Sequence, residues 1–143
     1  MLKKIGQRLK DQRGLTLIEL LAVVVILGII AAIAVPSIGN IIAKSKYDAA
    51  KADALQVLNA AKLYSASYEV DGNTSLDEDN EKFKEFINEV ENLVSYTVEF
   101  ENGTPSIDAT AKEGITAKGQ TSPAKFEGTI SEVNSYDYSD KNE

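Results

Sequence analysis

The chain of 143 residues carries one long apolar run close to its N-terminus. Between Leu15 and Ala43 the only charged side chain is Glu19. A helix needs about 20 apolar residues to span a bilayer, whereas the apolar core of a secretory signal has roughly 7–15. The length of the run therefore predicts a permanent transmembrane helix, and this helix contains one carboxylate.

The amphipathic part of the chain begins after Lys44, where apolar residues recur at spacings of mostly three and four. These residues are Tyr47, Ala50, Ala54, Val57, Leu58, Ala61, Tyr64 and Tyr68. This spacing places them on one face of a helix. Since the first turn signal is at 71–73, we predict one helix from about Thr16 to Val70, on the order of 80 Å long. Its first half is transmembrane, with a kink at Pro36.

A second, shorter helix is predicted by an acidic start and a helical apolar spacing. The acids are Asp77, Glu78, Asp79 and Glu81, and the apolar residues are Phe83, Phe86, Ile87, Val90, Leu93 and Val94. Acids in a first turn suit the helix dipole, so we expect a helix that ends near Asn92 and buries these apolar residues. The acids do not form an EF-hand loop, because its sixth-position glycine is missing. No metal site is predicted.

A β-hairpin is predicted in the next segment. Residues 96–101 and 106–111 alternate between apolar and polar, and Asn102-Gly103 between them is a strong hairpin turn. A two-residue turn there pairs Val98 with Ile107, so the apolar side chains of both strands share one face.

The C-terminal part completes an α+β fold. Lys125–Ile130 is predicted as a third strand, and the acidic tail Asn134–Glu143 as either a short edge strand or a frayed end. The predicted fold is a long N-terminal helix packed on a small antiparallel sheet of about three to four strands, with one extra short helix.

The charge is divided unevenly along the sequence. Residues 1–14 contain five of the 15 basic residues and one of the 22 acids, a net of +4, which leaves 10 − 21 = −11 for the rest. Basic residues beside a membrane helix favour the cytoplasm. We therefore expect a cytoplasmic leader at 1–14, a membrane helix at 15–43 and an outer domain at 44–143. An acidic domain repels phosphate, which excludes strong DNA binding by this domain alone.

The composition also limits the chemistry. The sequence has no cysteine, histidine or tryptophan. No thiolate or imidazole is present for metal binding or nucleophilic catalysis, and no pair of acids stands out from the others. We predict a protein that is not an enzyme and uses no cofactor.

The acid in the apolar run indicates a function. A carboxylate in hydrocarbon costs a few kcal/mol or more and implies a specific partner. Thr16 and Glu19 also have the spacing of a capping box, which would start the helix at Thr16. The two roles are compatible, but a capping acid normally lies in water.

The residues around this acid resemble a known family. Arg13-Gly14 followed by the hexapeptide 15–20, Leu-Thr-Leu-Ile-Glu-Leu, resembles the leader and mature N-terminus of type IV pilins and pseudopilins. The resemblance implies that a prepilin peptidase cuts between Gly14 and Leu15 and methylates Leu15. That residue departs from the usual phenylalanine. Glu19 would be the fifth mature residue and would meet the Leu15 amine of an adjacent subunit.

The resemblance extends to two helix-weakening residues, Gly28 and Pro36. It implies that the segment between them can lose helicity when the helices pack in a filament. Pro36 cannot donate to the carbonyl of Ala32, so the same proline would also explain a simple kink in a membrane helix.

Three functions are compatible with these observations. The first is a pilus subunit that is stored in the cell membrane as a single-pass precursor and then polymerised outside the cell. Its partners would be further copies of itself, the prepilin peptidase, the membrane platform and ATPase of pilus assembly, and lipid before assembly. The second is a pseudopilin of competence or type II secretion, and only the competence version brings DNA as a partner. The third is a plain membrane-anchored surface binding protein.

Overall fold

The structure is a computed structural model that describes the backbone of residues 2–140 and the side chains of residues 16–140. Its first element is helix α1, Leu2–Ser67. The chain divides into two compact units, Met1–Asn40 and Ile41–Glu143.

The second unit contains the rest of the secondary structure. Its elements after α1 are β1 (Ser75–Asp77), α2 (Glu81–Lys84), β2 (Leu93–Glu101), β3 (Thr104–Ala111), β4 (Lys125–Gly128) and α3 (Ile130–Ser135). The four strands form one antiparallel sheet in the order β1-β2-β3-β4. The predicted α+β class, with a long helix and a small antiparallel sheet, is confirmed.

In the first unit, the described part of the helix is mostly apolar, and nearly all of its side chains are exposed. Leu17 is 69% exposed and Ile33 is 72% exposed. Among the described residues, only the helix from Thr16 to Ser67 is long and apolar enough to cross a membrane, and its most apolar window has no buried residue. Soluble monomeric proteins rarely expose so large a continuous apolar surface. A surface of this kind is typical of contact with a membrane or with another subunit.

The core of the second unit lies between the amphipathic half of α1 and the inner face of the sheet. From the helix it contains Tyr47, Ala50, Ala54, Val57, Leu58, Ala60, Ala61 and Tyr64, and from the strands Leu76, Tyr96, Val98, Phe100, Ile107, Ala109 and Phe126. The alternation in the strands and the three- and four-residue spacing in the helix present these two faces to each other. The predicted apolar face is therefore buried, except that Tyr68 is exposed and the helix ends at Ser67 instead of Val70.

The hairpin has the predicted register. Glu101 is opposite Thr104, Val98 opposite Ile107 and Tyr96 opposite Ala109. Asn102 and Gly103 both have positive φ, 51° and 79°, as a two-residue turn of this type requires.

The second helix is much shorter than predicted. It ends at Lys84, although the sequence pattern predicts a helix to near Asn92. Phe83 and Phe86 both make edge-to-face contacts with the ring of Tyr64. These contacts fix the chain on α1 just where the helix stops, so packing against α1 overrides the local spacing.

The end of this segment is a strand instead of a helix. Leu93 is buried at the start of β2, opposite Ala111, and the pairing shifts between Leu93 and Ser95. This bulge leaves Val94 as the extra residue, and Val94 is 63% exposed. The prediction that Val94 is a core residue is wrong.

The acids at 77–79 precede the helix instead of starting it. Asp77 belongs to β1, whose Leu76 is buried opposite Val98. The helix begins at Glu81, and the backbone N–H of Phe83 donates to the Asn80 side chain at 3.1 Å. The N-cap of α2 is therefore Asn80, whose side chain is an amide, and not one of the acids at 77–79.

The C-terminal region also departs from the prediction. Strand β4 ends at Gly128 instead of Ile130, and the chain then forms α3. The first two residues of the predicted tail, 134 and 135, are therefore helical, and no edge strand follows within residues 136–140. Glu132 accepts hydrogen bonds from the backbone N–H and the hydroxyl of Thr129, and these bonds lower the pKa of Glu132 below its ordinary value. Residues 141–143 of the predicted tail lie outside the described residues.

Side chains of α1 bond distant backbone segments of the second unit, and two of them, Lys51 and Asp53, each make more than one such bond. Lys51 Nζ donates to the carbonyls of Asn134 and Tyr136, at 2.8 and 2.7 Å. A lysine at the last carbonyls of a helix is a favourable C-terminal partner. Asp53 Oδ2 accepts from the backbone N–H groups of Glu91 and Asn92 and from the Asn92 amide, at 3.1, 2.8 and 3.0 Å.

We expect Asp53→Ala to destabilise the domain by about 1–3 kcal/mol, because two backbone donors lose their acceptor. The matched control is Asp48→Ala, on the same helix. It removes only an exposed pair with Lys44 and should cost about 0–1 kcal/mol. Urea denaturation of the full chain in detergent micelles, followed by tyrosine fluorescence, measures both. Equal costs for the two variants would contradict the role of Asp53.

Candidate processing and assembly site

The predicted cleavage position lies inside a continuous helix. α1 runs from Leu2 through Gly14 and Leu15 without a break. The burial and contacts of Gly14, Leu15 and the rest of the leader lie outside the described residues, so cleavage and methylation there stay predictions.

Thr16 and Glu19 lie near the start of the described side chains, three residues apart on one side of the helix. Both side chains are exposed. Because α1 already begins at Leu2, Thr16 is not an N-cap in the uncut chain. The capping-box interpretation is wrong for this form, and a helix can begin near Thr16 only after the leader is removed.

Glu19 lies four residues after Leu15, which places the two Cα atoms about one helical turn apart. The surrounding large side chains are apolar, and Leu17, Ile18 and Leu20 are each more than 60% exposed. An acid in such surroundings has hydrocarbon or another subunit around it once the chain is in a membrane or a filament. Both settings penalise an unpaired carboxylate.

The helix continues through both predicted helix-weakening residues. Pro36 lies inside α1, and Gly28 is helical as well. A Cβ built at Gly28 would meet nothing within 4 Å, and the same is true at Gly39. Close packing within one chain therefore does not require a glycine at either position. The loss of helicity between Gly28 and Pro36 stays a prediction.

The sequence did not reveal the structural roles of Lys51 and Asp53. Both are on the polar face of the predicted helix, where a solvated charge is the ordinary expectation. Their hydrogen-bond partners are about 40 or more residues away in the sequence, so no local sequence pattern predicts these bonds. Among residues 16–140 no group of three or more histidine, cysteine or acidic side chains could hold a metal ion.

A comparison with known protein families finds a match in this segment. Residues 9–35 match the prokaryotic N-terminal methylation motif. This chain carries the type IV pilin and pseudopilin signal motif. The match covers 27 of 143 residues and includes the predicted cleavage position, Glu19 and Gly28. No solved structure matches the chain.

The methylation motif and the apolar helix agree with each other. The motif supports a type IV pilin-like or pseudopilin precursor. It implies processing by a prepilin peptidase and assembly into filaments. The described part of α1, from Thr16 to Ser67, is long and apolar enough to cross a membrane. Together with the motif it supports a membrane-anchored precursor that is methylated and later assembled.

Proposed function

We propose that this chain is the precursor of a structural subunit of a type IV pilus or related filament. It is cut between Gly14 and Leu15, methylated on the Leu15 amine and polymerised. The observation that carries this proposal is Glu19, the only charge between Leu15 and Ala43, which lies inside the segment that matches the methylation motif.

Glu19 would set the axial register of the filament. Cleavage creates a cationic amine at Leu15, and this amine needs an anion when neighbouring helices cover it. Glu19 of an adjacent subunit supplies that anion, whereas the exposed apolar side chains around it supply adhesion without a preferred position. A buried charge that is left unpaired costs about 3–5 kcal/mol, which is enough to select one register.

The orientation and the domains of the precursor follow from the charges. The leader 1–14, at +4, stays in the cytoplasm with the peptidase, residues 15–43 cross the membrane, and the acidic domain 44–143 faces outward. After assembly the domain lies on the outside of a surface fibre. In this proposal the protein has no catalytic role, and its partners are other copies, the peptidase, the assembly platform and its ATPase.

A pseudopilin is the second candidate, because the matched motif is shared by pilins and pseudopilins. In that case a short filament would drive DNA uptake or protein export. Loss of transformation or of secretion, without loss of surface fibres, after deletion of the gene would favour this candidate.

Electron microscopy of sheared surface material, with mass spectrometry of its N-terminus, tests the proposal. We expect fibres made of a chain that begins at Leu15 and carries one added methyl group. A mature protein that retains its leader would instead identify a plain membrane-anchored protein.

The proposed loss of helicity in the fibre gives a separate prediction. Alanine stabilises a helix interior by about 3 kcal/mol relative to proline. If the segment between Gly28 and Pro36 must unwind in the filament, Pro36→Ala should lower the fibre yield severalfold and leave processing unchanged. The control is Val35→Ala, which keeps the proline. Fibres of normal yield from Pro36→Ala would contradict the unwinding.

A further inference from the structure

The outer face of the sheet, on the side opposite the core, is strongly acidic. Its exposed charged residues are Asp77, Glu99, Glu101, Asp108, Glu127 and Lys125. Five carboxylates and one lysine give 1 − 5 = −4, so this face keeps a negative charge whatever Lys125 contacts.

Two of these acids face each other across neighbouring strands. Asp108 of β3 is directly opposite Glu127 of β4. The Ala111 N–H donates to the Ala124 carbonyl at 2.8 Å, three residues from each acid. In an antiparallel ladder, hydrogen-bonded residue pairs alternate with pairs that share no backbone hydrogen bond. Three steps from the bonded Ala111–Ala124 pair, Asp108 and Glu127 are therefore a non-hydrogen-bonded pair, the type in which the two side chains lie closest. Like charges directly opposite each other are unfavourable, and a bound cationic group would relieve their repulsion.

Strand β4 is also an open edge of the sheet. It lies last in the strand order, and the same alternation turns the N–H and C=O of Glu127 away from β3. Within residues 16–140, the only side chain that donates to this carbonyl is Tyr136, through a long hydrogen bond of 3.4 Å from its hydroxyl. A groove of about 1110 Å³ lies along this edge, lined among others by Ser122, Glu127, Tyr136 and Asp140. Open strand edges pair readily with other extended chains.

We propose that the edge of β4 binds an extended, lysine- or arginine-rich segment of a different protein. The segment would add to the sheet as a fifth strand. Its backbone would pair with the outward N–H and C=O of Glu127, and its cations would lie over the Asp108–Glu127 pair. Charge argues against a second copy as the occupant. Residues 44–143 carry 10 basic and 20 acidic side chains, a net of −10, so the outer domain of a second copy does not offer this acidic edge a complementary charge.

The test uses the full chain in detergent micelles and two capped synthetic hexapeptides. One alternates lysine with valine, and the control alternates glutamate with valine. We expect the lysine peptide to bind saturably, to slow hydrogen exchange of the Glu127 amide, and to bind about tenfold or more tighter than the glutamate peptide. Equal binding of both peptides, or binding of the lysine peptide without protection of this amide, would overturn the proposal.

Two substitutions at one position separate charge from backbone pairing. Glu127→Gln removes the carboxylate and keeps the N–H, whereas Glu127→Pro removes both, at an edge position where proline is tolerated. We expect severalfold weaker binding of the lysine peptide to Glu127→Gln and no detectable binding to Glu127→Pro. Equal affinities of the two variants would refute strand addition.

A control on the same face is Glu99→Gln, which removes the same charge away from β4 and should change the affinity less than Glu127→Gln does. Circular dichroism of each variant checks that the fold is retained. Sedimentation at rising protein concentration tests the competing occupant, because a dimer lost in Glu127→Pro would show that a second copy occupies the edge. None of these results depends on filament formation, so failure here leaves the proposed function standing.

Discussion

Glu19→Ala should leave the protein in the membrane and largely processed, yet abolish filament assembly. The variant retains the apolar surface of the helix but offers no anion to the Leu15 amine of the neighbouring subunit. An unpaired buried cation costs about 3–5 kcal/mol at each subunit, which corresponds to roughly two to three and a half powers of ten in subunit affinity. Immunoblots of sheared and membrane fractions measure the expected shift of protein from fibre to membrane.

Two control variants separate charge from packing at this position. Glu19→Gln has nearly the same size but no charge, so it should also fail to assemble. Leu20→Ala alters a neighbouring apolar side chain that is 62% exposed, and it should still yield fibres. Normal fibres from Glu19→Gln would show that the charge of Glu19 does not set the register.

Gly14→Val should block processing almost completely, because the peptidase is expected to cut at the glycine that precedes Leu15. The uncut protein keeps its cationic leader, which cannot leave the cytoplasmic side, and so no fibre should form. N-terminal mass spectrometry of the membrane fraction should find the leader still attached.

The matched control for this variant is Gly6→Val, the same change at the other glycine of the leader. It should be processed as the natural chain is. A Gly14→Val protein that begins at Leu15 would contradict the assigned cleavage position.

The sequence predicted those parts of the fold that local patterns determine. The hairpin at Asn102-Gly103 has the predicted register because the turn dipeptide and the alternation of both strands agree. The long helix and its buried face follow from the apolar spacing, which continues without a turn signal until 71–73.

The sequence failed where distant side chains complete the backbone hydrogen bonds. Between Lys84 and Leu93 the apolar residues do have helical spacing. However, Asp53 accepts hydrogen bonds from the backbone N–H groups of residues 91 and 92, and the Gln56 amide donates to the Asn88 carbonyl at 3.2 Å. These bonds replace those of a helix. Their donors and acceptors are more than thirty residues away along the chain, so no local window contains them.

The C-terminal helix α3 was missed although a local signal marks its start, because Thr129 and Glu132 have the spacing of a capping box. Its six residues are too few to form a stable helix alone, and the burial of Val133 and the bonds from Lys51 to its last turn hold it in place. The candidate site is predicted from a local signal, since an acid in an apolar run is visible in the sequence itself. The partner of Glu19 is not visible there, because that partner is expected on another molecule.

The most direct test of the register is a cryo-electron microscopy map of sheared fibres that resolves side chains. The proposal predicts that the Glu19 carboxylate of one subunit lies within hydrogen-bonding distance, about 3 Å, of the Leu15 amine of its neighbour, in a layer without water. A map in which this carboxylate points to solvent, or in which the amine contacts a different group, would contradict it.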